Sequence, residues 1–272
     1  MTRIKHHPIT GEPILHAPAR AERPHAFADT PDVARCPFCP GHESDTPPEI
    51  ARIGDPWHVR VFPNKYPPID GAEVIVESPH HDAALHDVDI DEVLRVYIAR
   101  LRAHADAAHV ALFRNDGPRA GASIAHLHAQ LVPLPFVPPR VATEVDAFAH
   151  ACPLCKPEGV VIRENTTMRW LVPAASTMPY QQWIVPKIHA ASIADLGQNE
   201  LIDLASLMRS ASRATHAIGD ANWLFMNFAH ATNAHAYIEI LPRITTLAGL
   251  ELGSGVFVEV IDAATAAARL SE

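Results

Sequence analysis

Polar and apolar residues alternate through positions 126–131. His126, His128 and Gln130 fall on one side of an extended chain, and Leu127, Ala129 and Leu131 on the other. Such a strand rests its apolar side on a core and turns two imidazoles and a carboxamide toward a site. The same reading predicts further strands over 58–63, 73–77, 109–114, 160–163, 169–172, 182–185, 223–228 and 235–239. Helical spacing replaces alternation at two places. Leu94, Tyr97, Ile98, Leu101, Ala105 and Ala108 follow Asp89 and an acidic first turn, and Leu201, Leu204, Met208, Ala211, Thr215 and Ile218 recur at steps of three and four. Residues 1–35 carry little periodicity and read as an arm bearing Arg20 and Arg23. PLPFVPPR, at 133–140, reads as a stiff connector.

These elements occur twice in one order: a CxxC pair, short strands, a long helix, a strand, a loop and a final strand that ends in a Leu-Pro step. Laying AHLHAQLVP over AHAYIEILP aligns His126 with His235, His128 with Tyr237 and Gln130 with Glu239. The chain is therefore expected to be a duplicated α+β unit, with halves at 1–140 and 141–272.

All four cysteines belong to the two pairs, Cys36/Cys39 and Cys152/Cys155. A dithiol redox site needs its first cysteine at a helix start, and Pro40-Gly41 directly after the first pair breaks such a helix. A single zinc ribbon spaces its pairs by about 15–20 residues, far less than the separation here. Each pair must then find its other ligands elsewhere. His81 and His126 are 45 positions apart and His189 and His235 are 46 apart, so the repeat nominates Cys36, Cys39, His81 and His126 as one set and Cys152, Cys155, His189 and His235 as the other. His80 competes with His81, and His230 with His235. Cys2His2 is a closed tetrahedral zinc set, structural rather than hydrolytic, so zinc is expected at the first set and at the second.

Composition narrows the partners. Apolar residues make up 48% of 272, and the formal charge of -9 argues against nucleic acid or an anionic membrane as a general partner. No apolar run approaches the roughly 18 residues of a membrane span, and the N-terminus has no apolar signal core, so a cytoplasmic protein is expected.

If His126 binds metal, His128 is the imidazole left for chemistry. It becomes a nucleophile toward phosphorus when its other ring nitrogen donates to a fixed acceptor such as a backbone carbonyl. The loop NDGPRAGAS offers Asn115, Ser123 and amides near Gly117 and Gly121 to phosphate oxygens, and Gln130 can donate to the same oxygens. With no third histidine at position 130, proton delivery to a poor leaving group is unprovided, which favours transfer over hydrolysis.

The ordered set PITGEPILHAPARAERP, CPFCPG, PNKYP, ESPHH, N(x)7S and HLHAQ resembles the galactose-1-phosphate uridylyltransferase family, the double-domain transferase branch of the histidine-triad superfamily. The resemblance spans nearly the whole chain. It implies two histidine-triad-like halves, each an antiparallel half-barrel sheet with a long helix, and a homodimer acting on nucleotide sugars and sugar phosphates. The implied reaction is ping-pong transfer of UMP or AMP through a nucleotidyl-histidine. His128 would be the nucleophile, with Gln130 and Ser123 on the phosphates. Asn64, Asn115, Arg20 and Arg23 would lie at the nucleotide, and Cys36, Cys39, His81 and His126 would hold zinc. Leu127 and Ala129 stand where the family usually has Pro and Gly, and Thr245 and Leu250 where a lysine and a tyrosine grip galactose phosphate. CPLC and the ELGSG ending are more similar to the ADP-glucose phosphorylase branch, in which inorganic phosphate is the acceptor. A phosphorylase of ADP-sugars or dinucleotides is thus the alternative enzyme, and a non-catalytic nucleotide-binding protein the alternative of another class.

Overall fold

Ten of the twelve strands form one antiparallel sheet in the computed structural model, which describes residues 3–22 and 36–272. The first half contributes β3 (Ala51–Gly54), β4 (Trp57–Pro63), β5 (Glu73–Val76), β6 (His109–Asp116) and β7 (His128–Leu134). The second contributes β8 (Gly159–Glu164), β9 (Met168–Pro173), β10 (Gln182–Pro186), β11 (Ala221–Met226) and β12 (Tyr237–Pro242). Their order is β3-β4-β5-β7-β6-β11-β12-β10-β9-β8, so each half runs inward from its edge in the same sequence and the two meet where β6 pairs with β11. This is the α+β duplication that the repeat predicts. β1 (Arg3–His6) and β2 (Pro13–His16) form a separate exposed hairpin within the segment expected to be an irregular arm. Among the described residues no helix is long and apolar enough to cross a membrane.

The two helices expected from periodicity are α1 (Ile90–Ala103) and α3 (Gln198–Ile218). Asp89 caps α1 by accepting from the amides of Asp91 and Glu92, and Arg100 and Arg102 close its last turn, matching the helix dipole at both ends. Both helices lie on one face of the sheet. There Leu94, Tyr97, Leu204 and Met208 join Ile75, Ala129, Leu131, Trp170, Trp223 and Ile238 in the main core. The C-terminal α5 (Ala263–Leu270) adds Ala266, Ala267 and Leu270 to that core.

The connector expected at 133–140 is a strand end followed by a helix. β7 runs through Leu134, and α2 (Pro139–His150) starts on a proline, which is tolerated in a first helical turn because its missing N–H has no partner there. Its Val141, Val145 and Phe148 pack on the sheet face opposite α1 and α3, but only over the second half, against Leu171, Val185, Met226 and Tyr237. The corresponding face of the first half carries two smaller clusters, one around Phe38, Phe62 and Val76 and one around Ala72, Val132 and Leu134.

Candidate functional site

The two histidine–cysteine sets assemble as the repeat requires, each with its four ligand atoms within 4.8 Å of one another. Cys36 Sγ lies 3.6 Å from His126 Nδ1, and Cys39 Sγ lies 3.4 Å from His81 Nδ1 and 3.6 Å from His126 Nδ1. In the second set Cys152 Sγ is 3.3 Å from His235 Nδ1, and Cys155 Sγ is 3.4 Å from His189 Nδ1 and 3.8 Å from His235 Nδ1. Metal bonds of about 2.3 Å to sulfur and 2.0–2.1 Å to nitrogen, at tetrahedral angles, put sulfur and nitrogen about 3.5 Å apart. The residues present therefore suit one tetrahedral ion per set. Their outer partners agree: His126 Nε2 faces the Ser78 carbonyl at 2.7 Å and His235 Nε2 the Pro186 carbonyl at 2.9 Å, which leaves each Nδ1 lone pair directed at the cysteines. Burial pushes both imidazoles down to about 4, so they stay neutral as ligands must. Of the sequence alternatives, His230 is committed elsewhere, to the Ala107 carbonyl, and His81 rather than His80 joins the first set. The sets differ in access: Cys36 and His126 are buried, whereas Cys155 and His189 are exposed.

His126 and His235 were expected inside strands, yet they stand just before β7 and β12, two residues ahead of His128 and Tyr237. His128 opens β7, 5% exposed, with Nδ1 2.8 Å from the His126 carbonyl. A donor at Nδ1 fixes the tautomer whose lone pair sits on Nε2. The polar face of the strand is less open than alternation implies. Gln130 is 6% exposed, and the Phe38 ring of the first CxxC loop stands edge-on 5.3 Å from the His128 ring. Gln130 pairs in register with Phe113 on β6 and Val74 on β5.

The loop after β6 is a tight turn. The amides of Ala120 and Ala122 return to the Gly117 carbonyl and that of Gly121 to Pro118, while Arg119 N–H donates to Asp220. Gly121 thus supplies a left-handed turn, and its amide is already bonded. Gly117 is required by closeness as well as by its positive φ, since a Cβ there would lie 2.2 Å from the Asp220 carboxylate. Ser123 is buried at the end of the turn. Asn222, which the sequence did not single out, sits opposite Asn115 in the β6–β11 register. It donates to Asn115 Oδ1 at 2.9 Å and the Ala120 carbonyl at 2.8 Å, so the carbonyl end of the Asn115 amide is the one engaged by Asn222. Arg20 and Asn64 meet at Tyr66: the Arg20 guanidinium donates to its carbonyl and Asn64 accepts from its amide. Arg23 lies outside the described residues.

A cleft of about 330 Å³ opens beside His128, bounded by Asn115, Asp116 and Gly117 on one side and by Ser212, His216 and Asp220 on the other. No sequence pattern assigns the last three, because they reach the cleft only when α3 lies across the sheet. Behind β7 a buried cluster braces this end of the strand. Arg114 Nε is 3.2 Å from Glu77, its terminal nitrogen donates to Asp116 at 2.8 Å, and Tyr97 donates to the other Glu77 oxygen. Glu77 N–H in turn bonds the Leu127 carbonyl. Burial pushes Glu77 up to about 7, and the attraction of Arg114 offsets this only in part because Asp116 takes the shorter bond. A carboxyl raised on folding stabilises fully below its unfolded value near 4.5, and that stability is lost as pH rises through 7. Glu77→Gln is therefore expected to flatten the fall in stability between about pH 5 and pH 7.5, which spans on the order of 2–3 kcal/mol. Urea unfolding at a series of pH values measures it, and an unchanged slope in the variant would exclude Glu77 as its source.

The equivalent face of the second half is filled. Tyr237, in the place of His128, and Glu239, in the place of Gln130, receive Arg140 from α2 at 3.1 and 2.6 Å, and Arg140 also pairs with Glu144 at 2.7 Å.

No family model matches the sequence. Full-length relatives do: an ADP-glucose phosphorylase of Arabidopsis thaliana is 28% identical over 95% of this chain and 89% of its own length. A galactose-1-phosphate uridylyltransferase of Thermotoga maritima is 22% identical over 100% and 98%. The crystal structure of an Arabidopsis thaliana ADP-glucose phosphorylase with bound ADP-glucose superposes with a TM-score of 0.81 at 27% identity, covering 100% of this chain and 99% of that one. A uridylyltransferase structure gives a TM-score of 0.82 at 28% identity, covering 100% and 97%. In sequence and in fold the chain is similar to galactose-1-phosphate uridylyltransferases and ADP-glucose phosphorylases, the group that its motif order resembles.

Proposed function

We propose that the chain is a zinc-containing nucleotidyltransferase that moves UMP or AMP between a nucleotide sugar and a sugar 1-phosphate by a ping-pong mechanism. The observation that carries this reading is His128: its Nδ1 is tied to the His126 carbonyl, and His126 belongs to a Cys2His2 set. In the first step Nε2 attacks the α-phosphorus, a P–N bond forms, and the P–O bond to the departing sugar 1-phosphate breaks. That phosphate is a weakly basic leaving group and needs no strong general acid. In the second step an oxygen of the acceptor phosphate attacks the same phosphorus and His128 is released. Ser123, Gln130 and the amide NH2 of Asn115 would hold phosphate oxygens. Arg20, Arg23 and Asn64 would contact the nucleoside. Asn64 bonds Ala72, next to Glu73, and Glu73 pairs with Leu131, so Asn64 stands four strand positions, about 13 Å, from the level of His128. Zinc in the two sets would tie the CxxC loops to the strands and supply no chemistry to the transfer. The second half would be silent, since α2 occupies the face where a nucleotide would lie. The test is the mass gained on mixing with UDP-glucose, UDP-galactose, ADP-glucose or a dinucleoside tetraphosphate: one nucleotidyl group per chain is expected, and no gain with any donor would remove the reading.

The relative with bound ADP-glucose favours a second acceptor, inorganic phosphate, through the same His128 intermediate. Release of the nucleotidyl group by orthophosphate as the nucleoside diphosphate would select it, and release by sugar 1-phosphates alone, which includes reversal of the first step, would reject it.

We further propose that the protein is a cytoplasmic homodimer without nucleic-acid partners. Leu250, Leu252, Val256, Phe257, Val258 and Val260 are exposed within one C-terminal segment, α4 (Gly249–Ser254) and the extended chain after it, and a second copy would cover them. Light scattering is expected to give twice the chain mass of 29.6 kDa. Leu252→Asp with Val258→Asp should halve it, and a monomeric parent protein would refute the dimer.

A further inference from the structure

At the far end of the sheet from His128, a second cleft of about 350 Å³ lies among β8, β9, α3 and α5. Three arginines from three different elements line it, Arg163 of β8, Arg213 of α3 and Arg269 of α5, together with Glu272. In a chain of net charge -9 this is a local excess of positive charge. Among the described residues no carboxylate pairs with Arg163 or Arg213. Arg163 is held by a hydrogen bond to Ser210 at 2.9 Å, and only Arg269 has an acidic partner, the exposed Glu272. The floor is apolar, with Ile162, Ala214 and Leu270. Arg213 is next in sequence to Ser212, which faces the cleft at His128 on the other side of the same helix, so the two clefts are separate.

Guanidinium groups fork onto phosphate oxygens, and arginines from three elements give a site that a solvated stripe of charge on one helix lacks. The volume falls at the lower end of small-molecule sites, about 300–1,000 Å³. We propose that this cleft binds a phosphate monoester with an apolar body, a nucleoside monophosphate in class, independently of the catalytic cleft. The phosphate would lie between Arg163 and Arg213 and draw Arg269 away from Glu272, with the base on the apolar floor.

The test is calorimetric titration of the full zinc-loaded chain with AMP at low ionic strength, where exposed charge is least screened. Two binding events per chain are expected. Arg163→Ala with Arg213→Ala should weaken one of them by about tenfold or more and leave the other in place. Arg269→Gln, on the exposed side of α5, gives the same readout at lower amplitude should the double variant fold poorly. An isotherm unchanged in both variants overturns the site. Orthophosphate matching AMP in the affected event overturns the assignment to a nucleotide.

Discussion

His128→Ala is expected to yield no nucleotidyl adduct with any donor and to lower turnover by at least about 10³-fold, since the covalent route is removed entirely. Metal content should stay at that of the parent protein, because His128 belongs to neither Cys2His2 set. Fold should also be retained: the side chain opens β7 on the face away from the main core, whose packing at this strand comes from Ala129 and Leu131. The loss would then be chemical rather than structural. Intact-protein mass and metal analysis on the same sample separate the two causes. A variant that still gains one nucleotidyl mass would move the nucleophile to another residue, and the tyrosine at 237 could not replace it, since Arg140 and Glu144 hold its hydroxyl and burial pushes its pKa far up.

What could be read in the sequence was the part set by local pattern. Two helical periods marked α1 and α3, and the repeated CxxC and histidine spacing nominated all eight metal-set residues before any packing was known. The spacing put His81 ahead of His80 but left His80 as a competitor, because the final choice depends on how the loop after β5 turns toward the CxxC hairpin. Alternation identified the histidine strand but overstated its open face: Phe38, distant in sequence, covers His128. The helix α2 was hidden by its own flanks, since prolines at 133, 135, 138 and 139 read as a connector while Val141, Val145 and Phe148 keep helical spacing. Its consequence was further out of reach. Nothing local says that Arg140 lands on Glu239 and fills one of two equivalent faces. Asn222 and Asp220 were invisible for the same reason, as each reaches Asn115 or the turn after β6 only through the β6–β11 junction.

The two metal sets differ in burial, and that difference predicts an order of loss. The first ties the CxxC loop directly to the residue whose carbonyl orients His128, with Cys36 and His126 both buried. The second contains exposed Cys155 and His189 and lies in the half whose equivalent face is filled. Cys36→Ser should lose one zinc per chain, remove adduct formation and lower stability by several kcal/mol, because ion binding in such a set is folding free energy. Cys155→Ser should lose one zinc as well but keep adduct formation within about tenfold, since nothing in the second set touches β7. Chelation of the parent protein is accordingly expected in two phases, with adduct formation surviving the first and disappearing in the second. Loss of both ions in a single phase, together with activity, would mean that the sets are coupled through the β6–β11 junction and that the second half supports the first more closely than its separate ligand set implies.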